Sequence, residues 1–147
     1  MPVEVVTGNH AAGHALCVAG EANRTARGTA TGIYPITPQT EIVERVAGFP
    51  FTKGKVVAVE SEHSAMALTI GASVAGARAF TASSSNGIAY MVENIMVAGF
   101  YRLPIVMVAV NRTLGPPWNI WADQSDTLML RDFPWIQLYA ANNQEVH

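Results

Sequence analysis

Leu103-Pro104-Ile105-Val106-Met107-Val108-Ala109-Val110 is an unbroken apolar run dominated by β-branched side chains. Such a run reads as a strand buried on both faces. Pro104 fits only at its start, where no ladder hydrogen bond is asked of its nitrogen. Shorter runs of the same kind stand at Ala30–Tyr34, Val56–Val59 and Ala79–Ala82, and Ile136–Ala140 reads as one more. Helical stretches separate them. Ser61–Gly76 repeats Met66, Ile70 and Val74 at helical spacing, and Ile88–Phe100 gathers Met91, Ile95 and Met96 on one face. Pro38–Ala47 opens with proline at the first helical position, with Thr37 as the N-cap and Glu41 and Glu44 in the first turns. Asn9–Ala19 reads as a helix of small residues ending near Gly20, Glu21–Thr29 as a surface loop, and Asn143 as the opening of a last helix. Alternating strands and helices with continuous apolar strands predict an α/β fold: a parallel sheet with helices on both faces.

The chain has 147 residues, 50% of them apolar and 14% charged, where an ordinary soluble domain carries roughly 25% charged. That length predicts one domain, residues 1–147. Nine basic against eleven acidic side chains give a net charge of −2, which removes any electrostatic case for nucleic acid or an anionic membrane. Cys17 stands alone, so no disulfide or iron–sulfur cluster forms within these residues. Met1–Asn9 lacks a basic segment leading into an apolar core, and a cytoplasmic location is expected. So few charges also predict that another chain covers some apolar faces.

In open parallel sheets, ligands bind outside the carboxyl ends of the strands. The polar residues that interrupt the apolar pattern lie just there: Thr37, then Glu60 and Glu62, then Ser83–Asn86, then Asn111 and Arg112. Each also has a plain reading. Glu62 suits a helix first turn, Thr37 an N-cap, Arg112 a surface position, and Ser83–Gly87 a strand-to-helix turn. Glu60 and Glu62 would point to one face of a strand, so spacing alone does not choose between them. His10 and His14 are spaced i, i+4, but Ala11 stands where a zinc helix carries glutamate and no third ligand is evident. Gly8 and Gly13 do not make a dinucleotide fingerprint. Trp118 and Trp121 flank a polar loop and read first as core or interface packing.

Tyr34-Pro35-Ile36-Thr37-Pro38, Glu60-Ser61-Glu62-His63-Ser64-Ala65, Ala82-Ser83-Ser84-Ser85-Asn86-Gly87, Asn111-Arg112 and the stretch Pro117-Trp118-Asn119-Ile120-Trp121 to Asp126 occur in one order. Together, over about residues 8–145, they resemble the α subunit of the 2-oxoacid:ferredoxin oxidoreductases, most closely the branch acting on pyruvate. The resemblance implies a pyrimidine-type domain that binds thiamine diphosphate together with a second, diphosphate-binding domain or β subunit. The implied reaction is oxidative decarboxylation of a small 2-oxoacid with coenzyme A, passing electrons to ferredoxin, or its reverse. Glu62 matches the family glutamate that hydrogen-bonds the pyrimidine and promotes the reactive tautomer of its amino group. It should therefore be substantially buried. Arg112 and Thr37 match the residues that hold the substrate, a role that suits the planar guanidinium fork. Pro35, Ser84, Ser85, Asn86 and Gly87 would line the cofactor.

Several family features are missing from these residues. No Gly-Asp-Gly segment for Mg2+ and phosphate is present, so magnesium and the iron–sulfur clusters are expected on partner subunits, including the ferredoxin-like and γ subunits. The resemblance implies part of an α subunit, with a domain truncated at its C-terminus, weak cofactor binding alone and no turnover. The Trp118–Asp126 loop favours pyruvate over 2-oxoglutarate, with branched-chain 2-oxoacids still open. A non-catalytic α/β interface subunit is the alternative, and its mark would be an apolar residue at 62 or 112.

Overall fold

The computed structural model describes residues 3–147; Met1 and Pro2, part of the segment read for a signal, lie outside it. Four strands, β1 (Thr29–Ile33), β2 (Gly54–Ala58), β3 (Arg78–Ser83) and β4 (Ile105–Ala109), form one parallel sheet in the order β2-β1-β3-β4. The helices are α1 (Gly8–Ala22), α2 (Thr40–Ala47), α3 (Glu62–Val74), α4 (Ser85–Tyr90), α5 (Val92–Phe100), α6 (Ser125–Leu128) and α7 (Asn143–Val146). Among the described residues, no helix is long and apolar enough to cross a membrane.

Side-chain alternation along the central strands divides the core in two. Phe80 and Ala82 of β3 pack with Ala12, Leu16, Cys17, Ile42 and Val46 of α1 and α2, joined by Val108 of β4. On the other face Ala79 packs with Ala98 and Ile105, while Met107 and Ala109 meet Met66, Ile88, Met91 and Ile95. Both faces are thus covered, as predicted. The split follows from the strand order. β1 to β2 runs one way through α2, whereas β2 to β3 and β3 to β4 run the other way through α3, α4 and α5. Crossovers of one hand then place the two sets of helices on opposite faces.

Several boundaries differ from the sequence reading, each for a local reason. Helix α1 continues through Gly20 to Ala22, because this buried glycine is a packing site: a Cβ there would sit 2.9 Å from Phe51 and 3.1 Å from Thr29. Helix α2 starts at Thr40, not Pro38, and Thr37 is not its N-cap; Gln39 stands there, its amide bound to Ala82 O at 2.7 Å instead of capping. The predicted helix at 88–100 begins earlier and divides at Met91 into α4 and α5. Ile136–Ala140 forms no strand. Trp135 donates its indole N–H to Ile95 O at 2.7 Å, and Ile136 and Leu138 stand 88% and 89% exposed. The segment is anchored on α5, and an apolar run without a ladder partner does not become a strand.

Candidate functional site

The direction in which the chain adds strands reverses between β1 and β3, and there the parallel sheet opens. β1 pairs with β2 over five residues and β3 with β4 over five, but β1 pairs with β3 only at Thr29 and Ala30. Beyond that point hydroxyls replace the ladder. Thr81 Oγ1 donates to Gly32 O at 2.8 Å, and Gly32 N donates to Thr69 Oγ1 at 3.4 Å. Backbone groups are satisfied while the carboxyl ends of the two strands separate. A crevice at such a reversal is the usual ligand position in open parallel sheets.

Glu62 is the first residue of α3. Ser61, in extended conformation, caps the helix by accepting from Ser64 N at 3.2 Å, and Glu62 follows buried, 9% exposed. Its carboxylate lies against Gly87: a Cβ on that glycine would stand 2.7 Å from Glu62 Oε1 and 2.5 Å from Ser83 Oγ. Glu62 accepts no hydrogen bond among the described residues, and the buried hydroxyls of Ser83 and Ser84 have no partner. The Glu62 carboxylate, without a donor, and the orphaned Ser83 hydroxyl thus lie together against Gly87. Glu60 differs in every respect. It is exposed and accepts from Ser64 Oγ at 2.6 Å, a bond that holds its carboxyl below the usual range. β2 ends at Ala58, so neither acid lies on a strand and the same-face relation does not arise.

Arg112 follows β4. Its Nη1 donates to Thr37 O at 2.6 Å, and its Nε is buried without a partner. Pro35 and Thr37 are exposed on the loop after β1, and no hydrogen bond joins Glu62 to Thr37 or Arg112. The loops after β3 and β4 meet on Asp126, which is fully buried in the first turn of α6. Asp126 Oδ2 accepts from Ser85 N at 2.8 Å and from Arg112 N at 3.1 Å, while Oδ1 accepts from Asn111 Nδ2 at 2.8 Å. Ser85 has a φ of 45°, a left-handed conformation unusual for a residue with a side chain, and its hydroxyl donates to Thr113 O at 2.6 Å. Asn86 Oδ1 accepts from Gly115 N at 3.1 Å. Both polar groups of Ser85 are therefore used within the chain.

Trp118 and Trp121 are 69% and 77% exposed, so neither packs in the core. His10 and His14 serve separate local bonds, to Thr7 and to Arg45. A cleft of about 740 Å³ between residues 4–14 and α7 contains neither Glu62, Thr37 nor Arg112. Asp126 and Gln39 were not singled out by the sequence reading. Both are uncharacteristic buried polar residues, and nothing in the sequence separates Asp126 from the exposed Asp123 nearby.

Residues 21–147 match the family model described as pyruvate flavodoxin/ferredoxin oxidoreductase, thiamine diphosphate-binding. The ketoisovalerate oxidoreductase subunit VorA of Pyrococcus abyssi is 51% identical over 98% of this chain and 35% of its own length. The pyruvate synthase subunit PorA of Thermotoga maritima is 54% identical over 78% of this chain and 30% of its own length. A structure of the 2-oxoglutarate:ferredoxin oxidoreductase from Magnetococcus marinus, with 2-oxoglutarate, coenzyme A and succinyl-CoA bound, superposes with a TM-score of 0.63 at 35% identity. That match covers 76% of this chain and 18% of the other. The chain spans about a third of the length of the curated relatives it matches.

Proposed function

The chain belongs to the pyruvate flavodoxin/ferredoxin oxidoreductase family, and on that premise we propose that residues 1–147 hold the pyrimidine half of thiamine diphosphate in a 2-oxoacid:ferredoxin oxidoreductase. One observation carries the reading: the buried Glu62 carboxylate, without a donor, lies with the orphaned Ser83 hydroxyl against Gly87. A pyrimidine ring offers the nitrogen and amino group that such a set lacks, so the residues fit the group.

Bound thiamine diphosphate supplies a nucleophilic carbon and an electron sink for decarboxylation. Glu62, 9% exposed, would hold the pyrimidine nitrogen through its carboxylate oxygen, where a proton can be shared. Pro35 and the Ser84–Gly87 turn line the ring; Ser85 and Asn86 act there by holding the turn, since their polar groups bind Thr113, Asp126 and Gly115. Arg112 and Thr37 bind the 2-oxoacid, the guanidinium facing its carboxylate. Without a Gly-Asp-Gly segment and with a single cysteine among residues 1–147, the diphosphate, magnesium and iron–sulfur clusters would fall to partner subunits, with coenzyme A as acyl acceptor and ferredoxin as electron acceptor, in the cytoplasm. This is the work of an assembled enzyme, to which an interface-only role is the alternative; Glu62 and Arg112 both being present argues against that alternative.

Pyruvate is the first substrate reading. A branched-chain 2-oxoacid is the second, favoured by the match to VorA along 98% of the chain. The test is the assembled complex, assayed with a panel of 2-oxoacids and a viologen acceptor, alongside Glu62→Gln. Loss of turnover in that variant with the complex intact is expected, and unchanged turnover would leave only the interface role.

A further inference from the structure

Asp126 is a fully buried carboxylate on α6, bonded only to N–H donors. It makes no hydrogen bond to Glu62 or to the Arg112 guanidinium, yet its Oδ2 alone holds Ser85 N and Arg112 N. The first amide belongs to the turn that contains Gly87, against which Glu62 lies. The second belongs to the residue whose guanidinium reaches Thr37. An ionised acceptor binds such amides roughly twice as strongly as a neutral one, and the φ of 45° at Ser85 needs a partner to hold it. Thr113, Leu114 and Gly115 are tied to Ser85, Ser125 and Asn86, so the first part of the loop after β4 is registered on the same point.

We propose that Asp126 is the positioning residue that sets the separation between the Ser84–Gly87 turn and the Arg112 guanidinium. This rests on the assignment of those two groups to the cofactor and the 2-oxoacid. Asp126 acts through the two backbone amides and contacts no reactant, so its removal alters binding of both ligands at once.

The test uses the assembled complex. Asp126→Ala leaves both amides without an acceptor, and Asp126→Asn keeps a weaker, neutral one; should the alanine variant fail to assemble, the asparagine variant carries the experiment. A lost hydrogen bond of this kind corresponds to about a tenfold change. The KM for the 2-oxoacid is expected to rise by about that factor in Asp126→Ala and less in Asp126→Asn. Calorimetric titration of thiamine diphosphate into cofactor-free complex should show a parallel loss of affinity. In a background carrying Arg112→Lys, the Asp126 substitution should change KM by no more than about twofold, because the group it positions is already altered. An assembled variant with both constants unchanged, or a KM effect of equal size in both backgrounds, would overturn the proposal. If Arg112→Lys and Glu62→Gln themselves leave turnover and KM unchanged, the assignment of the site has failed instead.

Discussion

Arg112 Nη1 donates to the backbone carbonyl of Thr37 across 2.6 Å, joining residues 75 positions apart in the chain. Their loops follow β4 and β1, strands that do not neighbour each other, so the guanidinium reaches across the end of β3. One arm of its fork is fixed on Thr37 and Nε is buried without a partner, while the guanidinium keeps further N–H donors for a carboxylate. Lysine offers a point charge that cannot hold Thr37 and a carboxylate in one plane. In the assembled enzyme, Arg112→Lys should raise the KM for the 2-oxoacid by roughly 10- to 100-fold, as loss of a charge-assisted hydrogen bond of about 1.5–3 kcal/mol implies. Unchanged KM would remove Arg112 from the substrate site.

The two acids at the start of α3 predict opposite outcomes. Glu62→Gln preserves shape and removes the carboxylate proposed to share a proton, and kcat should fall by about 10²–10⁴ with the complex still assembled. Glu60→Gln should leave kcat within about twofold, because an exposed carboxylate bonded to Ser64 has no path to the crevice. Its effect is on acid stability. Ser64 holds the Glu60 carboxyl below its ordinary value, so the bond contributes above the unfolded pKa and is lost as pH falls through the folded one. Glu60→Gln should therefore flatten the acid limb of the stability curve slightly. Equal loss of kcat in both variants would refute the distinction.

Why the sequence resolved one acid from the other only by resemblance is clear from β2. The strand stops at Ala58, and two residues of bend turn Glu62 inward while Glu60 stays in water. Short runs of apolar and β-branched residues marked all four strands, most clearly the wholly apolar β4, and the polar loops at their ends followed from the fold. It failed where a tertiary partner decided the outcome. Ile136–Ala140 has the composition of a strand, but Trp135 pins it to α5. Gly20 has the composition of a helix stop, but Phe51 and Thr29 make it a packing point. Asp126 is one acid in a polar stretch until the fold brings three donors to it.

Gly87 is the residue whose lack of a side chain makes room for Glu62. Alanine there would place a carbon 2.5 Å from Ser83 Oγ, 2.7 Å from Glu62 Oε1 and 2.8 Å from Glu62 Cγ. The hydroxyl can rotate, but the buried carboxylate has to move out of the place assigned to the pyrimidine nitrogen. Gly87→Ala should weaken thiamine diphosphate binding in the assembled complex by at least about tenfold, the equivalent of one hydrogen bond. The melting transition should shift less than in Gly32→Ala, since the atoms met are side-chain atoms of Ser83 and Glu62 that can move, not backbone. Calorimetric titration and thermal melting, run side by side, check both. Wild-type affinity would place the ring elsewhere.

Gly32 makes the contrasting case, in which backbone meets backbone. It is buried on β1 beneath α3, and an added Cβ would lie 2.4 Å from Ala65 O and 2.9 Å from Ala65 Cα. No side chain can give way there, so the helix would have to lift off the strand. The same residue's carbonyl and amide are held by Thr81 and Thr69, which keeps the strand from yielding in the other direction. Overpacking of this kind typically costs about 1–3 kcal/mol, and Gly32→Ala should fall at the upper end. Because α3 carries Glu62 at its first turn, lifting it also widens the crevice. The expected result is a lowered melting temperature together with weakened cofactor binding, whereas Gly87→Ala separates the two. A Gly32→Ala complex that melts like the parent would show that α3 and β1 do not approach as closely as this packing requires.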